Sequence, residues 1–217
     1  MRTRFVCLSN SFKEGGRCIA GIELDSNNNP VFVNGHRKWL RPVCRTPYGE
    51  VPTHLVDHFK KMDLVEIDIT GQPDEINYQS ENVYFIENSI SIVGNFPQNR
   101  LHDLCDDRNT LFGNRGKAIT DKEIINLTYS LMLIHTDLFE VISKLYNDNP
   151  HNPQTRLNFA FRGNMYDFPV TDPVFLYQYR SDSNYLQNCK SLYLCLSLTV
   201  PWKDWYYKLV AGVIPVM

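Results

Sequence analysis

A pair of glycines among polar and basic side chains is the first feature of the sequence that could bind an anion. The residues concerned lie within positions 7–18 and are Ser9, Asn10, Ser11, Lys13, Gly15, Gly16 and Arg17. Glycine lets backbone N–H groups approach a phosphate, while the other side chains supply hydrogen bonds and positive charge. The segment matches neither the phosphate loop G-x-x-x-x-G-K-[ST] nor the dinucleotide fingerprint G-x-G-x-x-G. We therefore predict a general anion or nucleotide site, with a plain hairpin turn carrying exposed charges as the alternative.

Basic residues flank a tryptophan a little further along the chain. They and the tryptophan are Arg37, Lys38, Trp39, Arg41 and Arg45. An aromatic ring can stack on a base while nearby cations neutralise phosphates, which is how proteins bind single-stranded nucleic acid. The alternative is that Trp39 lies in the core and the basic residues lie on the surface. Together the two segments predict a site for RNA, single-stranded DNA or a nucleotide.

Charge is distributed unevenly along the chain. Residues 1–50 contain eight Lys or Arg against four Asp or Glu, whereas residues 51–90 contain two against eight. The formal net charge of the whole chain is −2, which excludes a uniformly basic protein that coats nucleic acid. The pattern favours one localised anion site, although ordinary scatter of surface charge would give a similar distribution.

Candidates for catalysis are weaker than those for binding. Two histidines at positions 54 and 58 have metal-ligand spacing on a helix, but a recognisable third ligand is missing and no metal site is predicted. The acidic residues that could hold Mg²⁺ in a nuclease are Asp63, Glu66, Asp68 and Asp172. Asp68 and the two other acids of the alternating strand are more simply explained as a solvated strand face. No serine or cysteine nucleophile motif occurs, so we predict no catalytic residue and no cofactor, and a metal-dependent nuclease remains the weaker alternative.

Aromatic residues in the last quarter of the chain support a different kind of partner. They are Tyr177, Tyr179, Tyr185, Trp202, Trp205 and Tyr206. Tyrosine and tryptophan often anchor protein–protein interfaces, so a non-catalytic adaptor that docks a partner effector is a second hypothesis. Packing in a core explains the same residues equally well.

Many short apolar runs separated by turn residues predict a mainly β protein with short helices. Residues 64–70 alternate as a half-buried strand, and residues 156–168 and 191–216 have the pattern of two hairpins. Residues 120–146 are ambiguous, because a capping box and a helical stripe compete with a compact apolar run. The spacing predicts small barrels or sandwiches at residues 1–97 and 126–217, joined by a connector with a short helix at residues 98–125.

The same sequence lacks the signals of a membrane or exported protein. No run reaches the ~18 apolar residues of a membrane span, and the first ten residues lack the apolar core of a signal peptide. Six cysteines without a C-x-x-C pair predict reduced thiols. We therefore expect a cytoplasmic protein without a membrane partner.

Short motifs spread over nearly the whole chain occur in an order found in one protein family. They include Cys7-Leu-Ser-Asn-Ser, Gly15-Gly-Arg-Cys-Ile-Ala-Gly21, Trp39-Leu-Arg-Pro42, Tyr78-Gln-Ser-Glu-Asn82, Val170-Thr-Asp-Pro173 and Tyr207-Lys-Leu-Val-Ala211. Their order resembles that of the prokaryotic dual OB-containing domain. The resemblance implies two OB-like barrels in tandem, which sense nucleic acids or nucleotides in prokaryotic conflict and anti-phage defence systems. It also implies that residues 130–146 are mostly strand after a short helix, and that this chain is the module without a fused effector.

Overall fold

Two units divide the chain after Asp107. The computed structural model describes residues 1–73, 77–146, 149–182 and 184–217. The first unit comprises Met1–Asp107 and the second comprises Arg108–Met217. The connector expected at residues 98–125 therefore contributes residues to both units. The six cysteines form no disulfide within the described part of the chain.

The first unit is built from eight strands and one short α-helix. In chain order they are β1 (Arg2–Lys13), β2 (Gly16–Leu24), β3 (Phe32–Val33), β4 (His36–Arg37), β5 (Trp39–Val43), α1 (Thr53–Val56), β6 (Asp63–Gly71), β7 (Asn82–Phe85) and β8 (Ser91–Asn95). Short 3₁₀ helices occupy Asn77–Gln79, Glu87–Ser89 and Gln98–Leu104.

Five of these strands close a barrel. The order around it is β1-β2-β5-β7-β6, and β6 pairs again with β1. Strands β5 and β7 run parallel, with Arg41 opposite Asn82, whereas the other neighbours are antiparallel. Strand β8 extends the sheet beside β6, and α1 lies between β5 and β6 in the sequence. This five-stranded Greek-key arrangement is that of an OB barrel.

Alternation along the strands explains where the core of the first unit lies. Phe5, Ile19, Leu40, Val65 and Val83 come from the five barrel strands, and all are buried in one cluster. Residues at alternate positions of a strand point to the same face, so each strand directs its apolar side chains inward. The predicted strand at residues 64–70 is confirmed as the major part of β6.

The second unit contains seven strands and two α-helices. They are β9 (Ala118–Thr120), α2 (Asp121–Ile124), β10 (Leu131–Thr136), β11 (Phe139–Tyr146), β12 (Asn149–Phe161), β13 (Asn164–Pro169), α3 (Pro173–Ser181), β14 (Ser191–Leu198) and β15 (Trp205–Val216). Both predicted hairpins are present, as β12–β13 and β14–β15.

A second OB-like barrel, only half closed, follows from how these strands pair. One sheet has the order β10-β14-β15-β9 and another has the order β11-β12-β13. A parallel bridge between Val170 and Val210 joins the end of β13 to β15. If β10 and β11 are counted as one bent strand, the strand order is the same as in the first unit, and α3 takes the place of α1. The expectation of two tandem OB-like barrels is therefore confirmed.

Local sequence determines the two helices of the second unit. In α2, Glu123 accepts hydrogen bonds from the backbone N–H and the hydroxyl of Thr120, both at 2.9 Å, which is the predicted capping box. The longer helical stripe after it is not a helix, because residues 131–146 pair as β10 and β11. Helix α3 was not expected, although Asp172 caps it and Pro173 follows at its first turn. Among the described residues, no helix has the length and hydrophobicity needed to cross a membrane.

Candidate nucleic-acid interface

A cation–aromatic pair lies at the end of the β1–β2 hairpin. Phe12 stands opposite Arg17, and the guanidinium carbon lies 4.9 Å from the centroid of the phenyl ring. The ring is 57% exposed, whereas Arg17 Nη1 is buried without a hydrogen-bond partner. The backbone of Arg17 exchanges two 2.9 Å hydrogen bonds with Val51, which fixes its position. Hereafter the β1–β2 tip means Phe12, Lys13, Gly15, Gly16 and Arg17.

Lys13 adds a second positive charge to the β1–β2 tip. Burial lowers the pKa of its amine, and nearby Arg41 lowers it further, while Cys18 and Glu50 act in the opposite direction. Glu50 is itself held in place by the hydroxyl of Thr46 at 2.7 Å. The tip thus carries two cations, with the carboxylate of Glu50 close to Lys13 and the exposed Glu14 in the turn itself.

The glycine pair has a structural explanation at the tip. Gly15 has φ +80°, a conformation that residues with a side chain rarely adopt. A Cβ atom at Gly15 would also lie 2.9 Å from a carboxylate oxygen of Glu50. The positive φ of the turn therefore explains the glycine at position 15, whereas the Glu50 side chain could move aside.

Three polar residues predicted at the site point into the first unit instead. Ser9, Asn10 and Ser11 are all buried. The amide of Asn10 donates to the backbone oxygens of Val56 and Phe59 at 2.7 and 3.2 Å, so it fastens α1 to the barrel. These residues are therefore not part of the exposed surface of the tip.

Trp39 and its basic neighbours differ in how far they are buried and in the residues they contact. Trp39 is 8% exposed and donates to Asp106 at 3.1 Å, in line with the core alternative. Arg41 is 3% exposed and lies 3.3 Å from Glu81, while Lys38 pairs with Glu23 at 2.6 Å.

Arg45 is the exposed member of this second segment. Its guanidinium carbon lies 4.1 Å from the ring centroid of Tyr84. The structure therefore places Lys13, the glycine pair and Arg17 in one hairpin, with the side chains of Lys13 and Arg17 on opposite faces. It leaves Arg45 exposed and buries Trp39 and Arg41.

A cluster of three cations around one carboxylate lies on the second unit and was missed by the sequence analysis. The carboxylate of Asp167 on β13 accepts hydrogen bonds from Lys117 at 2.9 Å, from Lys144, and from Arg156 at 2.5 Å. Burial alone would raise the pKa of Asp167, but these three donors outweigh it and hold the pKa well below its usual value. The cluster has a formal charge of +2, and we call these four residues the Asp167 cluster.

One signal in the sequence could have located part of the Asp167 cluster. In the predicted β12–β13 hairpin, Asn158 pairs with Asp167 and Arg156 pairs with Pro169. Alternation places these four residues on the face opposite Leu157, Phe159 and other core side chains. Lys144 lies on β11 and Lys117 comes just before β9. No local sequence pattern links either lysine to this hairpin.

The aromatic residues proposed as adaptor anchors are divided between surface and core. Tyr206 is buried, whereas Tyr177 on α3 is 73% exposed. Tyr179 and Tyr185 pack around the buried ring of Phe175. Trp202 and Trp205 are exposed beside the β14–β15 turn.

Acidic and histidine side chains have mainly structural contacts. Glu66 bonds to Arg2 and Arg4. Asp172 accepts from two backbone N–H groups in the first turn of α3 and from one in β15. The two histidines of the metal-like spacing, His54 and His58, are exposed. Within the described ranges, no three His, Cys, Asp or Glu side chains are grouped so as to hold a metal ion.

Lys208 is a buried lysine outside the predicted site. It is 1% exposed, and its ammonium donates to the backbone and side-chain oxygens of Asn114 at 2.9 and 2.6 Å. Burial lowers the pKa of Lys208 to about 8, although Glu123 opposes the shift. This lysine fastens the loop before β9 to strand β15.

Raising the pH from 7 to 9 is expected to increase the free energy of unfolding by about 1 kcal/mol through Lys208. Its pKa is 10.5 in the unfolded chain and about 8 in the folded chain. The unfolded chain therefore binds more protons in this interval, so stability rises with pH. Urea titrations at both pH values measure this change. The increase in the free energy of unfolding from pH 7 to pH 9 should be smaller by about 1 kcal/mol in Lys208→Met than in wild type. Equal rises would contradict the assignment, because Lys13 and other groups contribute similarly to both proteins.

Comparisons with known proteins identify a family and a distantly similar solved structure. The model of the dual OB-containing domain matches residues 3–213. A solved structure described as a replication protein A heterotrimer bound to single-stranded DNA aligns over 98% of this chain at 11% identity, with a TM-score of 0.33. The chain spans 49% of that chain's length. A search of curated proteins finds no match.

Proposed function

The chain belongs to the dual OB-containing domain family, and on this premise we propose that it binds single-stranded nucleic acid through the β1–β2 tip. OB barrels commonly bind oligonucleotides on one strand face and on the loops beside it. RNA, single-stranded DNA and free nucleotides share the phosphate and base that such a surface recognises. No catalytic step is part of the proposal.

The observation that carries the proposal is the pairing of Arg17 with the exposed ring of Phe12. The ring offers a surface for a base, and the guanidinium has a buried Nη1 without a hydrogen-bond partner. Arg17 supplies the positive charge beside the ring, so a phosphate next to the stacked base would meet its guanidinium. Lys13 is the next residue of the hairpin, and alternation directs its side chain to the other face, toward Glu50. Arg45 adds a further exposed cation on the first unit.

The biological role of this binding is inferred from the family resemblance alone. On that basis we propose that the binding activity serves a prokaryotic anti-phage defence or conflict system. A plaque assay of cells that carry wild-type protein or Arg17→Glu, together with the neighbouring genes, tests this setting. Equal phage sensitivity of the two strains would contradict it.

Arg17→Glu is expected to weaken binding of single strands about tenfold at low salt, because it removes a phosphate contact and introduces repulsion. Fluorescence anisotropy with labelled RNA and DNA, and with a nucleotide panel, measures this effect. The slope of log K against log salt should also decrease in magnitude by about 0.7 for the lost contact. Phe12→Ala should weaken binding of all sequences by a similar factor, because stacking tolerates any base.

Lys60→Glu provides a matched control in the same unit, since Lys60 is an exposed residue after α1. It makes the same charge change as a reversal at the tip and should bind nearly as well as wild type. Equal affinities of wild type and Arg17→Glu would refute the assignment to the tip. No binding of any oligonucleotide or nucleotide by wild type would overturn the proposed function and favour the protein adaptor.

A further inference from the structure

An aromatic surface on the second unit has no role in the function proposed above. Trp202 and Trp205 pair across a two-residue turn, with mutual backbone hydrogen bonds of 2.9 and 3.2 Å. Lys203 and Asp204 form the turn with φ of 52° and 65°. Since paired residues and alternate residues share a face of a sheet, Tyr207 lies on the same face as both tryptophans. We call Trp202, Trp205 and Tyr207 the aromatic tip.

All three rings of the aromatic tip are accessible. Their exposed fractions are 59%, 45% and 37% for Trp202, Trp205 and Tyr207. The centroids of Trp202 and Tyr207 lie 6.2 Å apart, and the ammonium of Lys203 lies 4.4 Å from the Trp202 ring. Core packing therefore does not account for these rings.

Lys117 connects the aromatic tip to the Asp167 cluster. Its neighbour Ala118 pairs with Tyr207, and the backbone oxygen of Lys117 accepts from Lys208 N–H at 2.9 Å. The side chain of Lys117 reaches Asp167 on β13. Lys117 thus links the Asp167 cluster to the strand pair that carries Tyr207, within a single unit.

The charge of the Asp167 cluster favours an anionic ligand over an apolar one. Three cations share one carboxylate, and the side chains of Lys117 and Lys144 are 62% and 38% exposed. These two lysines can turn toward a phosphate, whereas Arg156 is 7% exposed and stays with Asp167. Exposed aromatic rings and exposed lysines on one unit are the side chains that contact the bases and phosphates of a single strand.

We infer that the Asp167 cluster and the aromatic tip form a second contact surface for single-stranded nucleic acid, with Lys117 and Lys144 at phosphates and the aromatic tip at bases. The inference rests on the proposed function for its class of ligand. It is independent of the β1–β2 tip in its residues, since every side chain involved belongs to the second unit.

Trp202→Ala tests the stacking part of this inference. The variant is expected to weaken binding of a labelled 20-nucleotide DNA or RNA strand about tenfold, because it removes a ring on which a base stacks. Tyr177→Ala is the matched control, since Tyr177 is an exposed aromatic residue on α3 of the same unit. Unchanged affinity of Trp202→Ala, or an equal loss in Tyr177→Ala, would overturn the inference.

Tryptophan fluorescence gives a second readout. The chain has three tryptophans, and Trp39 is buried, so quenching by an added oligonucleotide should arise from Trp202 and Trp205. Trp202→Phe/Trp205→Phe should lose this quenching and retain most of the affinity, because phenylalanine also stacks. Quenching that persists in the double variant would contradict stacking at the aromatic tip.

Lys117→Ala tests the phosphate part, and the full set of variants separates the two proposals. The slope of log K against log salt should decrease in magnitude by about 0.7 in this variant. If wild type binds and only Arg17→Glu is weakened, the second surface is refuted and the proposed function stands. If only the variants of the second unit are weakened, the β1–β2 tip is refuted and the second surface stands. If wild type binds no nucleic acid, both fail.

Discussion

A protein carrying Arg41→Glu is expected to unfold with a free energy about 3–5 kcal/mol below that of wild type. Arg41 is 3% exposed, and its guanidinium lies 3.3 Å from Glu81 and 3.2 Å from the side-chain oxygen of Asn82. Reversing the charge places two carboxylates side by side in a buried position, away from water. Any loss of nucleic-acid binding would then follow from loss of the fold, because Arg41 does not reach the surface.

Urea denaturation followed by circular dichroism measures this effect, and two further variants define its cause. Arg45→Glu makes the same change at an exposed position four residues later and should shift stability by no more than about 0.5 kcal/mol. Arg41→Met/Glu81→Leu removes both charges and should be more stable than Arg41→Glu, since paired removal leaves no isolated buried charge. If Arg41→Glu unfolds at the same urea concentration as wild type, the buried pair is not what stabilises this part of the barrel.

Asp167→Asn is expected to lower the free energy of unfolding by about 3 kcal/mol and to strengthen binding of single strands severalfold. The stability falls because the buried guanidinium of Arg156 and two lysines lose their shared carboxylate. Binding strengthens because the local charge rises by one unit on the proposed contact surface. Opposite signs in the two measurements distinguish this residue from a purely structural one.

Acid titration provides a further readout for Asp167. Its pKa is lowered in the folded chain, so its contribution is complete above the unfolded value of 3.8 and is lost as pH falls toward the folded pKa. As the pH falls below 4, the free energy of unfolding should therefore decrease less in Asp167→Asn than in wild type. Asp137→Asn, at an exposed position in the same unit, serves as control and should follow wild type. If the Asp167→Asn variant is folded and binds single strands more weakly than wild type, the proposal of a second contact surface is contradicted.

The barrels could be predicted because turns and alternation are local signals. The β12–β13 hairpin was expected around Gly163 and Asn164, and the structure turns at Arg162 and Gly163, one residue earlier. Residues 131–134 are all buried, and a continuous apolar run of this kind suits a buried strand as well as a helix. Pairing of β10 with β14, about sixty residues away, determines the strand, and no local pattern contains that partner.

The candidate site was predicted less completely because burial depends on distant partners. Trp39 is buried with Asp106, which is 67 positions further along the chain. Arg41 is likewise neutralised by Glu81, so a basic segment that suggests a surface becomes part of the interior. Lys13 and Arg17 belong to one tight hairpin, which the spacing alone predicted. The face on which each side chain lies depends on the strand register, which the spacing did not determine.

Both proposed contact surfaces include the end of a hairpin with a two-residue turn. Residues 14–15 connect β1 to β2, and residues 203–204 connect Trp202 to Trp205. Immobilising a long loop on binding would cost conformational entropy, whereas these turns leave almost no chain to immobilise. A single strand would therefore meet preorganised rings and cations, and its arrival would be limited by diffusion and charge rather than by rearrangement of the protein. Differences in affinity among variants would then lie chiefly in the lifetime of the complex.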